Sequence, residues 1–310
     1  MTNIYDSWDK KIFSLIEFDY RVSHREIAKH IRRSKSFVTY RITKLEERGI
    51  INYQPLIDYS RIGYQYYRII IETMLSRDEL QERLHDMNLK MIWLVERYNT
   101  ENIVLTVLAK GIKEFHSIWE SLYEKLSSDV ITKDIYLVFC VHHLPLTFFH
   151  NKAGMRISYQ TGNADPIECT AHETLLLDLL VKKPFISMRA LETETGLNQA
   201  TLRRTITDLR QKNILLAYQT LLNKDLLGIR HHKIFLEFKF SKASKRRLIE
   251  LLKTYPHVVY ITESGFKHDL EFETLTFTDK DLQDTIKKLK EDFAVKRIIL
   301  HQTVFEGKLF

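Results

Sequence analysis

Ser34-Lys35-Ser36-Phe37-Val38-Thr39-Tyr40-Arg41-Ile42-Thr43-Lys44-Leu45-Glu46-Glu47-Arg48-Gly49-Ile50-Ile51 is the stretch that decides the fold. Val38, Ile42 and Leu45 recur at helical spacing, so one stripe is buried while Thr39, Tyr40, Lys44 and Arg48 point elsewhere. Ser34 suits the N-cap and Gly49 the C-cap. Upstream, His24 to Ile31 reads as a shorter helix with Ile27, Ala28 and Ile31 as its apolar positions. Two short helices joined tightly at Arg32-Arg33-Ser34 make a helix-turn-helix with a polar, basic outer face. An ordinary amphipathic helix with a solvated charged face carries the same stripe. What points past it is the small hydroxyl residues and Lys35 at the helix start, with Arg32, Arg33, Arg41, Lys44 and Arg48 around them against only Glu46 and Glu47. The expected roles are phosphate anchoring by Arg32, Arg33, Lys44 and Arg48, and base-edge reading by Ser34, Lys35, Ser36, Thr39, Tyr40 and Arg41 of double-stranded DNA.

The whole chain is consistent with that partner. Its 310 residues exceed one small domain, its 44% hydrophobic share fills ordinary cores, and its net charge of +7 favours a polyanion. No apolar run reaches membrane-spanning length, and Met1 to Lys11 lacks the apolar segment of a secretion signal, so a cytoplasmic protein is expected, without membrane contact. Two cysteines, Cys140 and Cys169, are too few for a disulfide framework or a cysteine-based metal site. Among thirteen histidines, the pairs His142-His143 and His231-His232 point to opposite faces of a strand and cannot chelate one ion as units, so no metal is expected. No nucleophile elbow, phosphate loop or paired-carboxylate motif is visible; no catalytic residue, no cofactor and no enzyme activity are expected.

The chain repeats itself. Adding 164 to Ser23, Arg25, Ile27, Val38, Ile42, Thr43, Leu45 and Ile50 lands on Ser187, Arg189, Leu191, Leu202, Ile206, Thr207, Leu209 and Ile214. Gly63 pairs with Gly228 at an offset of 165, a one-residue insertion in the connecting loop. The chain is read as two copies of one two-part unit. Each copy opens with a helix, Trp8 to Phe18 and Ala171 to Lys182, the second ended by Pro184. A wing or connecting strand follows each helix-turn-helix, and Pro55 argues against a central strand. The rest of each copy reads β-α-β-β-α-β. The expected class is α+β: a tandem repeat of a winged helix-turn-helix domain followed by a ferredoxin-like βαββαβ sensing domain. The divisions are 1–62, 63–150, a linker at 151–170, 171–227 and 228–310, with Phe148 and Phe149 packing on the first half.

The run Glu26-Ile27-Ala28-Lys29-His30-Ile31, then Ser34-Lys35-Ser36, then Tyr40 to Ile51 and Gly63-Tyr64 resembles the DNA-binding domain of the Lrp/AsnC regulators. The βαββαβ unit is similar to that family's ligand-sensing domain. The resemblance covers nearly the whole chain, twice, apart from the linker. It implies a sequence-specific DNA-binding transcription regulator in which two sensing domains pair their sheets, within the chain or between chains, and a small molecule, often an amino acid, binds at their interfaces. A tandem chain makes the pair within itself, and its operator need not be a palindrome.

Departures from the family pattern qualify this. In the second copy the usual glycine after the helix is Asn213, and Glu192 and Glu194 make the preceding helix acidic. Contacts there are expected from Asn198, Gln199, Thr201, Arg203 and Arg204, the first two suited to adenine edges; a structural partner making only phosphate contacts is the alternative. The resemblance implies a glycine and an acidic residue for an effector; Gly265 and Asp269 fit in the second copy, where a tight turn needing glycine is the plainer reading, and Arg97 to Asn102 of the first copy has no glycine. A rival class shares this architecture: decarboxylases of sirohaem-type tetrapyrroles, for which His142, His143 and Arg156 would hold propionates.

Overall fold

In the computed structural model, residues 5–84, 87, 91–97, 102–147, 157–265 and 268–307 are described. Phe148, Phe149 and Arg156, and the loop from Tyr98 to Glu101, lie outside them. The chain forms two compact units. One gathers residues 1–62, 145–159 and 166–229; the other gathers 63–144, 160–165 and 230–310.

The first unit holds both helix-turn-helix copies. Helix α1 spans Ser7–Ile16, α2 His24–Ile31 and α3 Lys35–Glu47, followed by strand β1, Ile51–Ile57. Ser23 caps α2 through a capping box with Glu26, and Ser34 caps α3 by accepting from the Phe37 N–H. Ile27, Ala28, Ile31, Val38, Ile42 and Leu45 are buried, as the helical spacing predicts.

Between the units' segments run the elements of the first βαββαβ set: β2 (Gln65–Thr73), α4 (Arg77–Leu84), β3 (Met91–Arg97), β4 (Asn102–Ala109), α5 (Ile112–Leu126) and β5 (Val130–His143). A short β6 (Tyr159–Thr161) follows inside the stretch expected to be a linker. Three residues are too few to show a period. Gly162 after it has φ +86, and a Cβ there would collide with the Phe139 carbonyl, so only glycine lets this turn lie on β5.

The second copy then repeats the order: α6 (Ala171–Lys182), α7 (Met188–Thr195), α8 (Gln199–Gln211) and β7 (Leu215–Leu222). After the one-turn α9 (Lys224–Leu227) come β8 (Arg230–Phe238), α10 (Lys242–Leu252), β9 (Val258–Ser264), β10 (Leu270–Thr276), α11 (Asp279–Asp292) and β11 (Val295–Gly307). The expected α+β tandem is what is observed.

In the first unit the two copies are joined by β1 and β7, which pair antiparallel from Ile51↔Leu222 to Ile57↔Leu215. Tyr218, opposite Pro55, turns its N–H and carbonyl to Phe18 and Tyr20 on the other edge of β7, so the missing Pro55 N–H breaks no bond of the β1–β7 ladder. Each opening helix lies against the other copy's strand, α1 on β7 and α6 on β1. Tyr20 and Ile57 enter the core of the second copy, the Tyr20 hydroxyl donates to the Pro184 carbonyl at 2.5 Å, and Arg21 donates to the carbonyls of Pro184 and Ile186. Burial pushes the Tyr20 hydroxyl up to about 12, so it stays a donor.

In the second unit each half orders its strands in the same way, β5-β2-β4-β3 and β11-β8-β10-β9. The free ends meet, β3 with β11 and β9 with β5, and β2 pairs with β5, so eight strands close on themselves and β6 adds to β5. Closure removes the exposed sheet edges. Alternation sorts each strand: Tyr67, Ile69 and Ile71 of β2 pack under α4 and α5, while Ile234, Leu236 and Phe238 of β8 pack under α10 and α11.

The other face carries charge. Arg68 Nη1 lies 2.7 Å from Glu271, Lys233 Nζ lies 2.9 Å from both Glu271 and Glu273, and His231 Nε2 lies 2.7 Å from Glu273. All five side chains are buried, and Ser264 donates to the second oxygen of Glu271. Burial alone would raise both carboxyls; Lys233 acts on each, with Arg68 on Glu271 and His231 on Glu273, and together they hold both below the usual range.

Removing one carboxylate isolates the cations. Glu271→Gln should lower the unfolding free energy by about 3–5 kcal/mol, read from the denaturant midpoint. Because the native carboxyls titrate lower than the unfolded ones, their contribution is complete above about pH 5 and is lost as pH falls through the depressed native values. A pH–stability curve of the parent chain that does not decline on acidification would contradict this.

Candidate nucleic-acid interface

The surface that α3 presents is basic and exposed. Arg32, Arg33, Ser34, Lys35, Ser36, Tyr40 and Arg48 all face solvent, and Tyr40 keeps 61% of its area accessible. Lys44 donates to the Tyr40 hydroxyl at 3.2 Å, fixing the two side chains together on one face. Arg33 stacks over the Trp8 ring at 4.2 Å, which holds its guanidinium beside the start of α3.

Three expected readers already hold protein partners. Arg41 turns back to α1, where it pairs with Asp6 and, at 3.5 Å, with Asp9. Asp6 is the N-cap of α1, so Arg41 is a strut between the first and third helices, and we correct its assignment to base reading. The sequence did not show this because Asp6 and Asp9 stand 35 and 32 residues before Arg41. Thr39 shares a hydrogen bond of 2.9 Å with His24 Nδ1, and the Ser34 hydroxyl caps its helix and touches Ser36. His24 is thereby added to the surface; its place at the first position of α2 was the available signal.

The turn of the motif differs between copies. Arg32 sits at φ 55, and its counterpart 164 residues on, Gly196, sits at φ 70. The end of the recognition helix is the mirror case, Gly49 at φ 65 against Asn213 at φ 52, each donating its N–H back to the helix (Glu46 and Arg210 carbonyls). Copy one therefore holds an arginine where glycine costs less, and its side chain is exposed at the turn.

Copy two is less open to an anion. Asn198 caps α8 by accepting from the Thr201 N–H, Gln199 donates to Glu192 at 3.2 Å, and Arg204 stands 3.9 Å from Asp208 although 85% exposed. Arg203 is exposed, and Thr201 is half-buried. Arg210, though exposed, lies over the Tyr218 ring, and the half-buried Lys212 pairs with Glu173 at 2.8 Å.

The expected effector pair is spent on the fold. The Asp269 carboxylate accepts from the Phe238 N–H at 2.8 Å and closes the β8–β10 end; the Gly265 N–H donates to the Leu137 carbonyl. A Cβ at Gly265 would stand 3.2 Å from the tip of the exposed Phe139 ring, which has room to move aside, and Gly265 has no positive φ. A grouping that sequence reasoning missed lies nearby. Cys140, His142 and Glu263 bring sulfur, nitrogen and oxygen within 4.8 Å of one another. The available signal was the spacing of two between Cys140 and His142, which puts both on one face of β5.

A paired helix-turn-helix with an exposed basic recognition helix defines a winged-helix DNA-binding protein. Residues 6–52 match the family model described as winged helix-turn-helix DNA-binding. An uncharacterised HTH-type transcriptional regulator of Pyrococcus furiosus is 33% identical over 94 residues, 26% of this chain and 64% of that protein, so this chain spans less than two thirds of that relative. Regulatory protein AsnC of Haemophilus influenzae is 30% identical over 125 residues, covering 38% of this chain and 80% of AsnC. The chain belongs to the Lrp/AsnC family. Across its whole length the fold is similar to the crystal structure of the siroheme decarboxylase NirDL, with a TM-score of 0.59, 13% identity and coverage of 97% and 92%. No helix among the described residues is long and apolar enough to cross a membrane.

Two substitutions separate support from contact. Arg41→Ala should cost about 1 kcal/mol of stability and leave the salt dependence of DNA binding unchanged. Arg32→Gly should raise stability by about 1 kcal/mol while lowering the log–log salt slope by about 0.9. Thermal melts and binding titrations at several salt concentrations check both; the reverse pattern would exchange the two roles.

Proposed function

We propose that the chain is a sequence-specific DNA-binding transcription regulator that acts as a covalent pseudo-dimer, the product of a tandem duplication divided at 1–62, 63–150, 151–170, 171–227 and 228–310. The observation that carries this reading is the joining of two helix-turn-helix motifs by one two-stranded ladder, with the basic face of α3 left exposed. Arg32, Arg33, Lys44 and Arg48 anchor phosphates, and Lys35, Ser36 and Tyr40 read base edges with help from Thr39. Asn198, Gln199, Thr201, Arg203 and Arg204 add a second, weaker set of contacts, because acidic neighbours already engage Gln199 and Arg204. The two sets differ, so the operator has unequal half-sites. Family membership supports a small-molecule effector of amino-acid type at the sheet unit, bound by residues other than Gly265 and Asp269.

Selection from a random duplex pool at physiological salt should enrich a motif with two unequal halves about one helical turn, or a small multiple, apart. Lys35→Ala combined with Tyr40→Ala should weaken specific binding more than non-specific binding; equal losses on both would remove base readout from the model. Affinity should fall by roughly 0.9 log units per log unit of salt for each phosphate contacted.

A second reading, a tetrapyrrole decarboxylase, is favoured by the fold similarity to NirDL over nearly the full chain. Against it, His142 is engaged with Glu263 and Cys140, and His143 is buried against Thr161, with burial pushing its pKa down to about 4. Neither histidine is presented to a propionate. Adding an iron tetrapyrrole to the purified chain should leave the pigment's absorbance unchanged; a saturable shift would move the decarboxylase reading ahead.

A further inference from the structure

Cys140 and His142 stand two residues apart on β5, and Glu263 faces Cys140 across the β5–β9 pairing. This is one of the two seams where the strands of the first half meet those of the second. The register shifts between Val138 and Cys140, which brings Cys140, His142 and Glu263 onto the same side of the seam. Cys140 Sγ lies 3.6 Å from His142 Nε2, and His142 Nε2 lies 3.2 Å from Glu263 Oε1. Cys140 and His142 are buried, and Glu263 is partly so.

These separations have a meaning beyond hydrogen bonding. An ion bound tetrahedrally, about 2.3 Å from a thiolate and about 2.0–2.1 Å from an imidazole and a carboxylate, holds neighbouring donors roughly 3.3–3.6 Å apart. The set is thiolate, imidazole and carboxylate, a mixture that suits a borderline-soft divalent cation and not magnesium or calcium. The other oxygen of Glu263 is held by Lys245 of α10 at 2.6 Å, so the carboxylate is aimed by an outer partner, as ligating carboxylates commonly are.

We propose that Cys140, His142 and Glu263 form a binding site for one divalent cation of the zinc class, with water as fourth ligand. On binding, the Cys140 thiol releases its proton to solvent as the sulfur–metal bond forms, His142 binds through its neutral Nε2, and Glu263 binds through Oε1 while Oε2 stays on Lys245. The ion links two strands that no covalent bond joins locally, so it clamps the seam between the halves. The site rests on the geometry of the sheet unit alone, and its failure would leave the DNA-binding reading untouched.

Cobalt(II) serves as the spectroscopic probe, titrated into the untagged, chelator-treated full chain under reducing conditions. One equivalent should produce visible ligand-field bands and a near-ultraviolet sulfur-to-cobalt band, both displaced by zinc(II), and zinc should raise the melting temperature. Cys140→Ser should abolish the sulfur band, and Cys169→Ser should keep it. Lys245→Met, which leaves all three donors in place, should weaken binding about 10- to 100-fold. Far-ultraviolet circular dichroism establishes that each variant is folded; if Cys140→Ser is not, His142→Gln and the Cys169→Ser comparison carry the assignment. Absence of the sulfur band in the parent chain, its persistence in folded Cys140→Ser or His142→Gln, or its loss in Cys169→Ser would overturn the site.

Discussion

The sheet unit depends on a pair of carboxylates that cannot be left alone. Glu271 and Glu273 lie inside a closed ring of strands where an unpaired charge is prohibitively desolvated, and Arg68, Lys233 and the His231 ring answer them. Arg68 comes from the first half of the chain and the other four groups from the second. Lys233 and His231 answer the two carboxylates from within the second half, and Arg68–Glu271 is the pair that crosses, so the first half's buried guanidinium finds its carboxylate only where the two halves meet.

The helix-turn-helix unit solves a similar problem with backbone. Two short helical motifs bury little surface each, and the β1–β7 ladder with the crossed packing of α1 and α6 turns them into one core. Arg41 then braces α3 against the capped start of α1. A recognition surface needs this stiffness, because the contacts it makes are lost when a side chain has to be ordered at the moment of binding.

Much of this architecture was legible in the residues. The offset of 164 between Val38, Ile42, Leu45 and Leu202, Ile206, Leu209 reports buried helix faces, which local spacing encodes. The order of strands and helices followed for the same reason. Ring closure through β3–β11 and β5–β9 was not legible, since it depends on pairings between the two halves, far apart in sequence. The candidate surface split along the same line. Exposure of Lys35, Tyr40 and Arg48 follows from the helical stripe, whereas the engagement of Arg41 by Asp6, of Gln199 by Glu192 and of Asp269 by the Phe238 N–H belongs to tertiary contact. Cys140 and His142 were separable from His143 by alternation, but Glu263, the third member, is 121 residues from His142.

The contrast between Arg32 and Gly196 has a consequence for how such a molecule can change. In a homodimer every substitution is made twice, once in each subunit, and a strained residue at a turn is strained in both. Here the two turns are encoded separately. One can keep the less stable arginine that a ligand surface uses while the other keeps the glycine that the fold prefers. Holding both turns in one chain thus lets different demands be divided between equivalent positions, and under the proposed function it gives the recogniser a direction along its DNA.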